Sequence, residues 1–236
     1  LFALSPVSAY ADLPIEQVTL KKGNFEITNC EKAADKSCSC KIDITYTIIA
    51  DNQYKAVNAK SKEYAEEALN DAPFKEWRCS DKMIQSNQNG SDFEYGYSSS
   101  LGFENVDIAT LNLSYRYTWR NAPHETLASQ TIIIDKTSGK IIEVTDLFEK
   151  DKLDALNHAV LLLLKQDPNW DAFRDKEYAT SISATDTKGY FYIENNRLNF
   201  EVRPLRGTYV AIEIPLEFIS HPAIRKLYQE PSNASR

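Results

Sequence analysis

The sequence predicts an α+β fold, with antiparallel sheets each packed by one main helix and two intimately packed lobes. Three observations predict it. Period-two alternation marks strands, as at Ile42, Ile44, Tyr46 and Ile48. Apolar stripes at three-, four- and seven-residue steps mark two helices, over residues 52–70 and 151–166. Those helices stand singly between groups of strands rather than alternating with them, which argues against a doubly wound parallel sheet.

The chain opens on "LFALSPVSAYAD", which reads as the end of an export signal. An apolar stretch is followed by Ala9-Tyr10-Ala11, the small-x-small pattern a signal peptidase accepts, so residues 1–11 are expected to be a signal-peptide remnant and Asp12 the mature terminus. "VTLKKGNFEITNC" and "CKIDITYTIIAD" follow as two strands around the polar loop "EKAADKS". In the helix over 52–70, Val57, Tyr64, Ala65, Ala68 and Leu69 form the apolar stripe. Residues 71–92 are irregular.

"FEYGYSSSLGFENV" and "DIATLNLSYRYTWR" read as two long antiparallel strands, the second with Leu111, Leu113, Tyr115, Tyr117 and Trp119 on one face. A hairpin turning at Lys136-Thr137-Ser138-Gly139 comes next. A helical region beginning at Thr145 or Asp146 leads to the helix over 151–166, buried along Leu153, Leu156, Ala159, Val160, Leu163 and Leu164 and stopped by Asp167-Pro168. A second hairpin turns at Asn195-Asn196, "TYVAIEIP" gives a further strand, and a closing helix over 216–229 is interrupted near Pro222. The lobes divide near Thr145, into residues 12–145 and 146–236.

Composition narrows the function. With 27 basic against 34 acidic residues the formal charge is −7, which disfavours nucleic acid and anionic membrane and favours a basic partner. No run approaches the roughly 20 apolar residues of a membrane span. Cys30, Cys38, Cys40 and Cys79 predict two disulfides in an exported protein. Cys38 and Cys40 are too close along an extended strand to bridge each other, so one pairs with Cys30 and the other with Cys79. They lack the paired C-x-x-C spacing of a zinc cage. No nucleophile elbow, zincin helix or phosphate-cradling glycine loop occurs, and the three histidines are scattered at His124, His158 and His221. The sequence predicts no enzyme, no metal and no cofactor. The alternative is an envelope hydrolase or deacetylase whose carboxylates no linear motif reveals.

The stretch "LNLSYRYTWRNAPHETLASQTIIIDKTSGKIIEVTDLF" resembles the extracytoplasmic domain of RsiV-type anti-sigma factors. The same domain occurs as a non-catalytic companion of a peptidoglycan deacetylase and in free-standing exported bacterial proteins. That family shows an alternating strand, a Gly-Gly-Ala-His turn, a strand ending in Asp, a Thr-Gly-Lys phrase and an Asp-Leu-Phe opening a helix. Here the turn reads Arg120-Asn121-Ala122-Pro123-His124, without the glycines; the strand ends at Asp135, the phrase is Thr137-Ser138-Gly139-Lys140, and Asp146-Leu147-Phe148 matches outright.

The resemblance implies a periplasmic or secreted recognition domain that binds a C-type lysozyme or a peptidoglycan component. A lysozyme of this kind is basic, in keeping with the charge. The expected partner surface is the loop after the long strand together with the "RPLRGTY" segment: Trp119, Arg120, His124 and Glu125, with Arg203, Arg206 and Tyr209. His124 is expected to set the geometry of that loop rather than to catalyse. A free exported recognition domain is therefore expected, without the membrane span and cytoplasmic segment of the family's anti-sigma half.

Overall fold

A computed structural model describes residues 12–28, 37–70, 93–119, 126–168, 170, 189–205 and 208–229. Two sheets form the framework. The larger has six strands in sequence order: β1 (Ile15–Thr28), β2 (Ser37–Ile49), β3 (Phe93–Glu104), β4 (Ile108–Trp119), β5 (Thr126–Asp135) and the short β6 (Lys140–Ile141). The smaller has β7 (Gly189–Glu194), β8 (Arg197–Leu205) and β9 (Thr208–Glu213). The helices are α1 (Lys55–Asn70), the single turn α2 (Val144–Leu147), α3 (Leu153–Leu164) and α4 (Pro222–Leu227). The class is α+β, with α1 on the large sheet and α3 on the small one.

One junction departs from the all-antiparallel expectation: β2 and β3 run parallel, from Cys40 opposite Phe93 to Ile44 opposite Tyr97. The cause is connectivity. Helix α1 lies between the two strands in sequence and packs on β2, so the chain crosses the sheet and re-enters in the same direction. Beyond Ile44 and Tyr97 the ladder gives way to side chains. The Thr47 N–H donates to Ser99 Oγ (2.6 Å), Thr47 Oγ1 donates to the Ser99 carbonyl (2.6 Å), and Ser61 Oγ of α1 donates to the Thr47 carbonyl (2.9 Å). All three residues are buried, so these bonds satisfy groups that water cannot reach.

The run Ile132-Ile133-Ile134 shows how the lobes join. Ile132 and Ile134 belong to the core under α1, with Ile44, Tyr97, Leu111 and Leu113. Ile133 points to the opposite face, into a second core with Leu156, Val160 and Leu164 of α3 and Phe200 and Val210 of the small sheet. At Ile132 to Ile134 strand β5 is therefore buried on both faces, which is why its apolar residues are continuous there rather than alternating. Ile108 and Ile142 accompany Ile133 into the second core.

The second core is closed by the C-terminal segment. Tyr228 Oη donates to the Ile214 carbonyl (2.7 Å) and accepts from the Leu198 N–H (3.2 Å), while the Arg197 guanidinium lies over its ring. Asn195 and Asn196 both have positive φ (51° and 59°), as a two-residue hairpin turn between β7 and β8 demands. The closing helix breaks where expected, into a 3-10 turn over Leu216–Phe218 and then α4, with Pro222 at its first position.

Candidate functional site

Among the described residues, a polar cleft lies at the β5–β6 turn. Asp135 ends β5, and its carboxylate folds back along the chain. Oδ1 accepts from the Thr137 N–H (2.8 Å) and Oδ2 from the Ser138 hydroxyl (2.8 Å), while the Gly139 N–H donates to the Asp135 carbonyl (2.8 Å). An aspartate bonded to backbone N–H groups ahead of it is a local turn former. Gly139 supplies the left-handed residue the turn needs, at φ 67°, and sits where a Cβ would come within 2.5 Å of the Gln53 carbonyl oxygen. Four residues on, the Glu143 N–H donates to Asp146 Oδ2 (3.0 Å), which caps α2 and turns Leu147 and Phe148 into the second core. The Thr-Ser-Gly-Lys and Asp-Leu-Phe phrases are thus a turn and a helix start, and they stand side by side.

A strap from the far end of the chain completes the site. Ile219 bridges to Phe148, the Ser220 N–H donates to the Leu147 carbonyl (2.8 Å), and Ser220 Oγ reaches the Asp146 carbonyl (3.3 Å). Arg225 holds the strap from behind through its bond to the Ile219 carbonyl (2.6 Å). His221, the residue before α4, is thereby brought to the turn. Between turn and strap lies a cleft of about 460 Å³, with Asp135, Ser138, Lys140, Asp146, Ser220 and His221 on its polar walls. Ile141, Ile142 and Pro222 make the apolar side.

The electrostatics favour a fixed charge at Asp135. Partial burial works to raise its pKa. The Ser138 hydroxyl, the Thr137 and Ser138 N–H groups and the nearby His221 outweigh that and hold the carboxyl below its ordinary value. Ser138 donates directly to Asp135, so the imidazole does not stand between hydroxyl and carboxylate as a Ser–His–Asp relay requires. The geometry presents charges and hydrogen-bonding groups rather than an activated nucleophile. His221 Nδ1 is buried and has no hydrogen-bond partner among the described residues. No group of three or more His, Cys, Asp or Glu among the described residues could hold a metal ion.

Of the residues expected from sequence to meet a partner, Trp119, Arg203 and Tyr209 are described, and none of these three lines the cleft. Trp119 is the last residue of β4, opposite Phe93. Arg203 lies in β8 and Tyr209 in β9, on either side of the hairpin that pairs Leu205 with Thr208. Trp119 is therefore in one sheet and the Arg203–Tyr209 hairpin in the other. Arg120, His124, Glu125 and Arg206 lie outside the described residues. So do Cys30 and Cys79 of the expected disulfides; Cys38 and Cys40 occupy β2 positions opposite Ile27 and Phe25. The cleft is at the Asp135 end of β5 and the Trp119 loop at the Thr126 end. Nine residue steps separate those ends, about 30 Å at a strand rise of ~3.3 Å.

Sequence reasoning named most of the turn, through the resemblance, but did not join it to Ser220 and His221. The visible signal was modest: a histidine followed by proline at a helix start, far along the chain from Asp135. His158 is exposed on α3 and does not line the cleft.

No protein-family model matches the sequence, and no curated protein matches it. The fold itself has solved counterparts. A DUF3298 family member from Bacteroides fragilis superposes with a TM-score of 0.58 at 17% identity, covering 92% of this chain and 99% of that one. A DUF3298 family protein from Pseudomonas aeruginosa gives 0.50 at 14% identity, covering 91% and 97%. The chain thus shares the two-sheet α+β architecture of DUF3298 family structures, nearly end to end. No helix among the described residues is long and apolar enough to cross a membrane.

Proposed function

We propose that this chain is a non-catalytic recognition domain of the bacterial cell envelope, periplasmic or secreted, that binds a basic lysozyme-like protein or a peptidoglycan component. The observation that carries the reading is the end-to-end likeness to DUF3298 structures. It supports the RsiV-type resemblance, whose motif phrases fall together in one turn-and-cap unit. The formal charge of −7 suits a basic partner and would steer its approach. A muramidase assay with C-type lysozyme tests the reading: an equimolar or modest excess of the chain should co-elute with lysozyme and alter its activity. Turnover of peptidoglycan by the chain alone, with no lysozyme bound, would favour the hydrolase alternative.

A further inference from the structure

We propose that the cleft between the β5–β6 turn and the α4 strap binds a short zwitterionic peptide, its ammonium towards Asp135 and Asp146 and its carboxylate towards Lys140. The proposal deepens the envelope reading, on which it rests for its choice of ligand source, the peptide part of peptidoglycan. The argument begins with the walls. Among the described residues, two carboxylates, one ammonium and the His221 imidazole, which lies near Asp135, line a single cleft. A purely cationic ligand would meet Lys140, and a purely anionic one would meet both aspartates. A ligand carrying both signs is the one that can answer every charge of the cleft, with any further charges left in solvent at its open side, and like-charge contacts are what reject the others.

The hydrogen-bonding capacity agrees. A carboxylate offers about four acceptor positions. Asp135 uses them on the Thr137 and Ser138 N–H groups and the Ser138 hydroxyl, which leaves Oδ2 room for another donor. Asp146 takes the Glu143 N–H on Oδ2 and has Oδ1 to spare. The Ser138 and Ser220 hydroxyls can meet the amide groups of a peptide, and Ile141, Ile142 and Pro222 give a side chain somewhere to lie. At about 460 Å³ the cleft falls in the range that small-molecule sites occupy. Among the described residues its lining has no Phe, Tyr or Trp on which a sugar ring could stack. Because Lys140 and Asp146 are exposed, each charge contact is screened and the affinity should be modest.

The test is a calorimetric titration of the whole chain with the free tripeptide L-Ala-γ-D-Glu-meso-diaminopimelate. The same tripeptide with its amines acetylated and its carboxyls amidated, and chitotetraose, are titrated in parallel. Saturable binding of the free tripeptide by about 5 mM is expected, weakened about three- to fivefold in Lys140→Gln and in Asp146→Asn, with neither control bound. Asparagine at 146 can still accept the Glu143 N–H, so α2 keeps its cap. The absence of tripeptide binding, equal binding of the blocked tripeptide, binding of chitotetraose alone, or two variants that bind like wild type would each overturn the proposal. Lysozyme titrated into the same samples separates the two readings: lysozyme binding without tripeptide binding removes this inference and leaves the proposed function standing.

Discussion

Replacing Gly139 with alanine should destabilise the protein by about 2–5 kcal/mol. Two effects add. The residue sits at φ 67°, where an L side chain crowds its own backbone, at about 1–2 kcal/mol. The new Cβ would also lie 2.5 Å from the Gln53 carbonyl oxygen and 2.9 Å from its carbon. Both are backbone atoms of the 3-10 turn before α1, so no flexible side chain can swing aside. Either the β5–β6 turn or the start of α1 must shift, at about 1–3 kcal/mol by analogy with overpacked cores. Gly139→Asn separates the effects, because asparagine tolerates positive φ but keeps the Cβ. Urea unfolding of the three proteins at equal m-value is the assay. Alanine and asparagine variants that both lose more than about 1 kcal/mol would show that the contact dominates. A Gly139→Ala variant within about 0.5 kcal/mol of wild type would refute the packing of this turn against Gln53.

Further predictions concern three other polar features. Lys136 and Glu104 form an ion pair with side chains only 11% and 12% exposed, so Lys136→Met should cost about 3–5 kcal/mol by stranding the carboxylate, whereas Lys136→Met combined with Glu104→Gln should cost less. A single variant no less stable than the double in thermal melts would count against this. Asp135 has a depressed folded-state pKa, so its contribution is present above the unfolded value, about 4, and is lost as pH falls through the folded one. Between pH 7 and pH 3, Asp135→Asn should therefore lose less stability than wild type in urea melts; an equal loss would contradict the assignment. Tyr228→Phe should cost about 1–3 kcal/mol, since it leaves the Ile214 carbonyl and the Leu198 N–H without that hydroxyl. A neutral effect on chemical denaturation would mean water replaces it.

Periodicity exposed most of the fold, and its failures have physical causes. The stripe of α1 runs through Val57, Ser61, Ala65 and Ala68, but a serine does not register as core; Ser61 is buried because Thr47 and Ser99 answer its hydroxyl. The β2–β3 junction gave no local sign of being parallel, since strand direction depends on where the intervening helix carries the chain. Ile132 to Ile134 announced burial without saying that two cores share them. At the cleft, Asp135, Ser138 and Asp146 were legible because each shapes its own turn or cap. His221 reaches them through the strap's contacts with Asp146, Leu147 and Phe148, long-range contacts with no linear pattern.

The recognition claim is tested most directly by surface plasmon resonance of C-type lysozyme over the immobilised chain at low and high ionic strength. The account predicts saturable binding at or below tens of micromolar, with association slowed by salt because the chain's negative charge steers a basic partner. No binding up to about 100 μM at low salt, a free energy weaker than about −5.5 kcal/mol, would contradict the lysozyme reading.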